Sequence, residues 1–244
     1  MPWSGSGEVR GEYGERVDGS STAFGVIIGD FHRLTAAPVK GGHRCHSGGM
    51  FIEPVPEEAA TGPLADYYEQ QRSAWGFLPN YAGAFSSRPE VAEAWNVLNS
   101  TVRDGMDRRR FEIATIAAAR ALRSTYCTVA HAKFLRDVCG DAATVRAIAV
   151  DPRGGNLDAQ DRAVYEFAGM VAADAASVTQ SDIDRLRAVG LKDRDIADVV
   201  FAAAARAFFT RVLDGLGAQL DPQTAEAFPP AMLESMIVGR PVAG

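Results

Sequence analysis

From residue 50 onward, apolar side chains recur every three or four positions and never settle into alternation, so the chain reads as a series of amphipathic helices without strands. Pro63 suits a first helical turn, and Leu64, Tyr67, Tyr68 and the residues to Trp75 continue a helix that stops at Gly76. Residues 76–81, with Pro79 and Asn80, read as a turn. Ser87 and Pro89 open a second helix carrying Val91, Ala94, Trp95, Leu98 and Val102 on one side. Asp107 caps a third over 108–122, and a fourth runs over 125–138 to a stop at Gly140. Asp158 starts another with Val164, Phe167, Ala168 and Val171, Thr179 caps a short one ending at Gly190, and Asp193 opens a long one through Phe208 to Leu216. After Asp221 the chain, with Pro229 and Pro230, is expected to run extended. The fold class predicted is all-α.

Two of these segments, 111–122 and 196–209, are alanine-rich and apolar nearly all round. Such helices belong at the centre of a bundle or against another subunit, because no face is suited to water and alanine permits close helix approach. Residues 1–49 differ sharply. They hold 11 of the 24 glycines and three of the four histidines, lack a helical period, and offer only 24–28 as a short strand. A stretch of this kind buries too little apolar surface to offset its ordering entropy. The expected organisation is therefore a disordered leader over 1–49, a helical domain over 50–221 and an extended tail over 222–244, with Met50 expected as the true start of translation. Within the leader, His43, Cys45 and His46 form a loose group, read as accidental since a metal site needs three or four preorganised ligands.

Composition narrows the function classes. The 244 residues are 47% hydrophobic and 23% charged, as in a globular chain of one domain or two small ones. No run approaches the roughly 18 apolar residues of a membrane span, and no secretory signal opens the chain. The formal net charge of −6 argues against a nucleic-acid or anionic-lipid partner. The basic run Arg108, Arg109, Arg110, with Arg103 nearby, is expected to be solvated or to bridge subunits. Three cysteines, Cys45, Cys127 and Cys139, are too few for a disulfide framework and suit a reducing cytoplasm.

The chemistry concentrates between Glu112 and His131. Ser124 is a strong N-cap, which places Cys127 at the third helical position, among free backbone N–H groups. A thiolate there is expected to be stabilised, lowering the thiol pKa below about 8.5. His131 lies one turn further along the same face. Glu112 stands near the start of a helix whose next ionisable residue is Arg120, so facing inward it needs a partner. His131 is a natural one, since a carboxylate fixes an imidazole's orientation and tautomer. The expected relay is Glu112 to His131 to Cys127. Each residue also has a plainer reading: Cys127 as a small buried hydrophobe, His131 as a satisfied core residue, Glu112 as a surface partner of Arg108 or Arg109.

Glu112 followed by Ser124-Thr125-Tyr126-Cys127-Thr128-Val129-Ala130-His131 resembles the signature of alkylhydroperoxidase D-like proteins, in the carboxymuconolactone decarboxylase family, and most closely its peroxidase-related branch. The likeness extends loosely over 50–221. That family's peroxidase pattern is a glutamate and then C-x-x-C-x-x-x-H. Here Glu112 occupies the glutamate slot, Cys127 the second cysteine and His131 the histidine, while Ser124 stands in the first cysteine slot. An intramolecular C-x-x-C disulfide is thereby excluded. Cys139 is a poor substitute, since twelve residues of helix span about 18 Å, against a disulfide limit of about 7 Å between Cα atoms.

The resemblance implies a hydroperoxide reductase in which Cys127 attacks, His131 and Glu112 relay the proton, and an external thiol resolves a sulfenic acid. It implies no metal or organic cofactor, and a homo-oligomer built by helix packing. Ser124 becomes a cap and hydrogen-bond donor, and Tyr126 either donates into the site or packs. A rival within the family is acid–base lyase chemistry on a small carboxylated lactone, with Glu112 and His131 shuttling the proton and Arg120 or Arg123 holding the carboxylate. A further rival is a non-catalytic helical oligomer with an unreactive Cys127.

Overall fold

The computed structural model describes residues 49–244. Residues 1–48, with the strand expected over 24–28 and the His43, Cys45, His46 group, lie outside the described residues. Eleven α-helices are formed among the described residues: α1 (Pro63–Trp75), α2 (Asn80–Gly83), α3 (Pro89–Asp104), α4 (Arg108–Ala121), α5 (Thr125–Asp137), α6 (Ala142–Val150), α7 (Ala159–Asp174), α8 (Gln180–Ala188), α9 (Asp193–Leu216), α10 (Pro222–Ala225) and α11 (Pro230–Met236). The class is all-α, and the one β contact among the described residues is an isolated bridge between Leu220 and Val242.

The bundle is organised around α4, which packs against α5, α7 and α9. Every residue from Phe111 to Ala119 is buried, and the small alanines at 114, 117, 118 and 119 let three neighbours approach at once. Asp107 Oδ1 accepts from Arg110 N at 2.8 Å and closes the helix start as the sequence predicts. Asp141, Asp158 and the Thr179–Asp182 capping box do the same for α6, α7 and α8. The long helix α9 behaves differently from α4. Its inner face is buried, but Phe201 and Phe208 are 56% and 42% exposed; on α3, Val97 and Leu98 are likewise 56% and 49% exposed.

Three differences from the sequence expectations have simple causes. The tail is not extended: α10 and α11 fold back onto α5, and α11 also meets α6. Pro222 and Pro230 each occupy a first helical turn, where the missing N–H has no partner to lose and the fixed φ favours helix. The turn predicted over 76–81 already contains the start of α2 at Asn80. Finally, α6 escapes a periodicity reading because it spans nine residues with little polar contrast, AATVRAIAV.

The returning tail secures the entrance to α5. Val238 N and Gly239 N donate to Thr125 Oγ1 at 3.2 and 3.0 Å, and Arg120 Nη1 donates to Ser235 O at 3.2 Å. Between α4 and α5 the chain turns through Arg123, at φ 61°, into an extended Ser124.

Candidate active site

Ser124 has the backbone conformation of an N-cap, φ −95° and ψ 105°, and its carbonyl accepts from Thr128 N at 3.1 Å. Its side chain does not cap. The buried Oγ makes no hydrogen bond of ordinary geometry, although it lies close enough to the Cys127 thiol and the Asp214 carboxylate to favour their charged forms. Cys127 sits in the first turn of α5 and is 1% exposed. Burial pushes its thiol up, against the opposing pull of Arg206 and Ser124. The lowered pKa expected from the helix start is thus corrected, because removing the sulfur from water outweighs the favourable end of the helix.

Glu112 and His131 meet in the interior. His131 Nδ1 lies 2.5 Å from Glu112 Oε2, and Arg108 Nε donates to Glu112 Oε1 at 2.7 Å. Burial works against the charge on Glu112, but His131 and Arg108 outweigh it and hold the carboxyl below its ordinary value. Burial and the nearby Arg206 push His131 down to about 4, against the pull of Glu112. The state that follows is a neutral imidazole whose Nδ1–H donates to a carboxylate, leaving the Nε2 lone pair to accept a proton. Phe111 and Phe134 flank the ring edge-on, with centroids 6.1 and 5.6 Å away. The sequence-predicted triad is therefore joined at Glu112–His131, while Cys127 shares the helix and face of His131 without a hydrogen bond to it.

Arg206 is the residue that sequence reasoning missed. It projects from α9, is 4% exposed, and points Nη1 at Cys127 Sγ from 3.7 Å. Nη2 reaches Asn99 Oδ1 at 3.4 Å, and the buried Nε has no partner. The guanidinium carbon lies 5.5 and 5.2 Å from the ring centroids of Trp95 and Phe209. The signal was available: Arg206 is the one charged residue between Asp198 and Arg211 in a helix otherwise suited to the core.

The remaining candidates are engaged elsewhere. Tyr126 packs: its hydroxyl donates to Asp221, whose other oxygen accepts from Asn80 N at 2.7 Å, so it ties α5 to α10 and α2. The three arginines expected to be solvated or to bridge subunits are paired within the chain. Arg108 holds Glu112, Arg109 donates to Asp141 and Asp161 at 2.6 and 2.8 Å, and Arg110 meets Asp195 at 2.7 Å. Arg120 and Arg123, the alternative carboxylate holders, instead bind carbonyls of Ser235 and Val238 in the tail. Cys139 is a free, half-buried thiol beyond the end of α5, pushed up to about 11 chiefly by burial. Two surface clefts of about 320 and 350 Å³ border α7 and are not lined by Cys127, His131 or Glu112. No three His, Cys, Asp or Glu side chains group as metal ligands among the described residues, and no helix among them is long and apolar enough to cross a membrane.

A helical bundle centred on one buried helix has counterparts among solved structures. The chain has the alkylhydroperoxidase D-like fold. It is similar to the alkylhydroperoxidase AhpD core of an uncharacterized peroxidase-related protein from Ralstonia eutropha JMP134, at 22% identity and TM-score 0.62, over 71% of this chain and 94% of that one. An uncharacterized peroxidase-related protein from Silicibacter sp. TM1040 aligns at 23% identity and TM-score 0.59, over 71% and 90% of the two chains. The debrominase Bmp8 aligns at 18% identity and TM-score 0.60, over 77% and 98%, and a second structure of it holds 2,3,4-tribromopyrrole. By sequence, no family model and no curated protein matches the chain.

Proposed function

We propose that the chain is an enzyme that reduces hydroperoxides through Cys127, with His131 as proton acceptor and donor and Glu112 as its anchor. The observation that carries this reading is the 2.5 Å contact between His131 Nδ1 and Glu112 Oε2, made one helical turn from a cysteine. It leaves a neutral imidazole with Nε2 as its proton acceptor, on the same helix and four residues from the thiol. Nε2 takes the thiol proton, the thiolate attacks the distal peroxide oxygen, and the S–O bond forms as the O–O bond breaks. His131 returns the proton to the departing alkoxide, which leaves as alcohol or water. The sulfenic acid then condenses with an external thiol, releasing water, and a second equivalent of that thiol restores Cys127 as an external disulfide leaves. This cycle suits a reducing compartment such as the cytoplasm, and it requires no second cysteine, consistent with serine at 124. With Cys127 only 1% exposed, a small hydroperoxide is the fitting substrate class.

A second reading is supported by the same pair. Glu112 and His131 form a complete acid–base dyad without a hydrogen bond to Cys127, which suits a lyase acting on a small carboxylated substrate. The two readings part at Cys127→Ser. Peroxide turnover collapses in this variant under the first, whereas lyase turnover on small carboxylated lactones survives it under the second. Because a debrominase shares the fold, halogenated aromatics belong in the same substrate panel. The exposed apolar side chains of α3 and α9 support a homo-oligomer, which light-scattering mass measures directly.

A further inference from the structure

Burying an arginine is costly unless an opposite charge compensates it. Other inward-reaching arginines of this bundle follow that rule: Arg108 has Glu112, Arg109 has Asp141 and Asp161, and Arg110 has Asp195. Arg206 is more deeply buried than any of these and makes no salt bridge among the described residues. Trp95 and Phe209 contribute ring contacts, and such contacts favour a cation. They do not supply a counter-charge, nor do they use the N–H groups at the edge of the guanidinium. Those groups point at Cys127 Sγ, 3.7 Å away, and at Asn99 Oδ1, 3.4 Å away, with Nε–H left over.

We propose that Arg206 is the counter-charge of the Cys127 thiolate, a catalytic residue that waits unpaired in the resting thiol state and is neutralised when the sulfur loses its proton. This rests on the reading of Cys127 as the nucleophile. The step is a heterolytic S–H cleavage in which the proton passes to His131 Nε2 and the electron pair stays on sulfur. It creates an imidazolium facing Glu112 and a thiolate facing Arg206, so both new charges arise beside an existing partner of opposite sign. The other charged group acting on Cys127 is Asp214, also from α9, which opposes ionisation and is itself approached by Arg240 at 3.9 Å. Arg206 also acts on His131, favouring its neutral form. One guanidinium thus biases the dyad toward imidazole at rest and stabilises the sulfur once it is charged.

The test uses the full chain carrying Cys45→Ser and Cys139→Ser, so that Cys127 is the only thiol. Its ionisation is followed by thiolate absorbance near 240 nm across pH, in the parent, in Arg206→Lys and in Arg206→Met. Lysine keeps the charge, and methionine keeps much of the bulk without it. The midpoint in Arg206→Met is expected to stand about one pH unit or more above that in Arg206→Lys. Equal midpoints in the two folded variants overturn the proposal. If the methionine variant does not fold, the 15N signals of the Arg206 guanidinium in the parent decide. They must shift with the midpoint of the absorbance, and signals that stay fixed while the sulfur ionises overturn the proposal. Neither readout requires peroxide. A chain that titrates as expected but is not oxidised by peroxide retains the Arg206 assignment and loses the peroxidase reading, and the converse result separates the two the other way.

Discussion

His131 and Glu112, nineteen residues apart in sequence, meet through Nδ1 and Oε2 at 2.5 Å in the interior where α4 packs on α5. Since an ionised carboxylate only accepts hydrogen bonds, the contact fixes the proton on Nδ1 and the lone pair on Nε2. Replacing Glu112 by Gln keeps the shape but removes the charge that stabilises a protonated His131. Turnover is expected to fall by about a hundredfold, with substrate affinity little changed. Steady-state kinetics of Glu112→Gln beside the parent checks this, and an unchanged kcat contradicts the relay.

The pH dependence of stability should show two opposing terms. His131 is pushed down to about 4 in the folded chain, mainly by burial. Between about pH 6.5 and 4 the unfolded chain therefore binds the extra proton, and acidification destabilises the fold. Asp221 has the opposite sign. Burial raises it to about 6, so stability falls as pH rises from about 4 to 6. Asp221→Asn removes the second term alone, and urea unfolding of this variant should show stability increasing with pH across this window more steeply than in the parent. Parallel profiles contradict the assignment of Asp221.

Gly239 lies over the α4–α5 turn, and a Cβ there would overlap the carbonyl oxygen of Arg123. Because that oxygen belongs to backbone, a larger residue must displace the tail from Thr125. Gly239→Ala is expected to cost about 1–3 kcal/mol, read as a lowered Tm. Gly140 provides the contrast, since a Cβ there meets nothing within 4 Å and its only penalty is the positive φ of 70°.

Cys139 is half-buried and lies past the end of α5, outside the dyad. Cys139→Ser is expected to leave peroxide turnover within about twofold of the parent, as for a substitution away from packing and chemistry. A collapse of turnover would instead make Cys139 a resolving thiol.

The fold and half of the site were legible from short-range pattern. The capping residues Asp107, Asp158 and Thr179, the stop at Gly76 and the apolar run of α4 place most helices within a residue or two, because these signals act locally. The Glu112–His131 meeting was foreseeable because an inward carboxylate demands a partner. The sulfur's surroundings were not. The first-turn position of Cys127 suggests an easily ionised thiol, and only tertiary packing reveals that the sulfur is buried. Arg206 is separated from Cys127 by 79 residues, so nothing in local spacing links them. The helices of the tail escape local pattern for a related reason: prolines break helices in the interior but favour them in the first turn, and which applies at Pro222 and Pro230 depends on where the helix begins.

The central claim is that Cys127 is the atom on which hydroperoxide chemistry occurs. Stoichiometric hydroperoxide followed by a sulfenic-acid trap, with mass spectrometry locating the label, tests it most directly. The account predicts labelling at Cys127 that disappears in His131→Gln and on addition of an external thiol. Labelling confined to Cys139, or none at any cysteine, contradicts it.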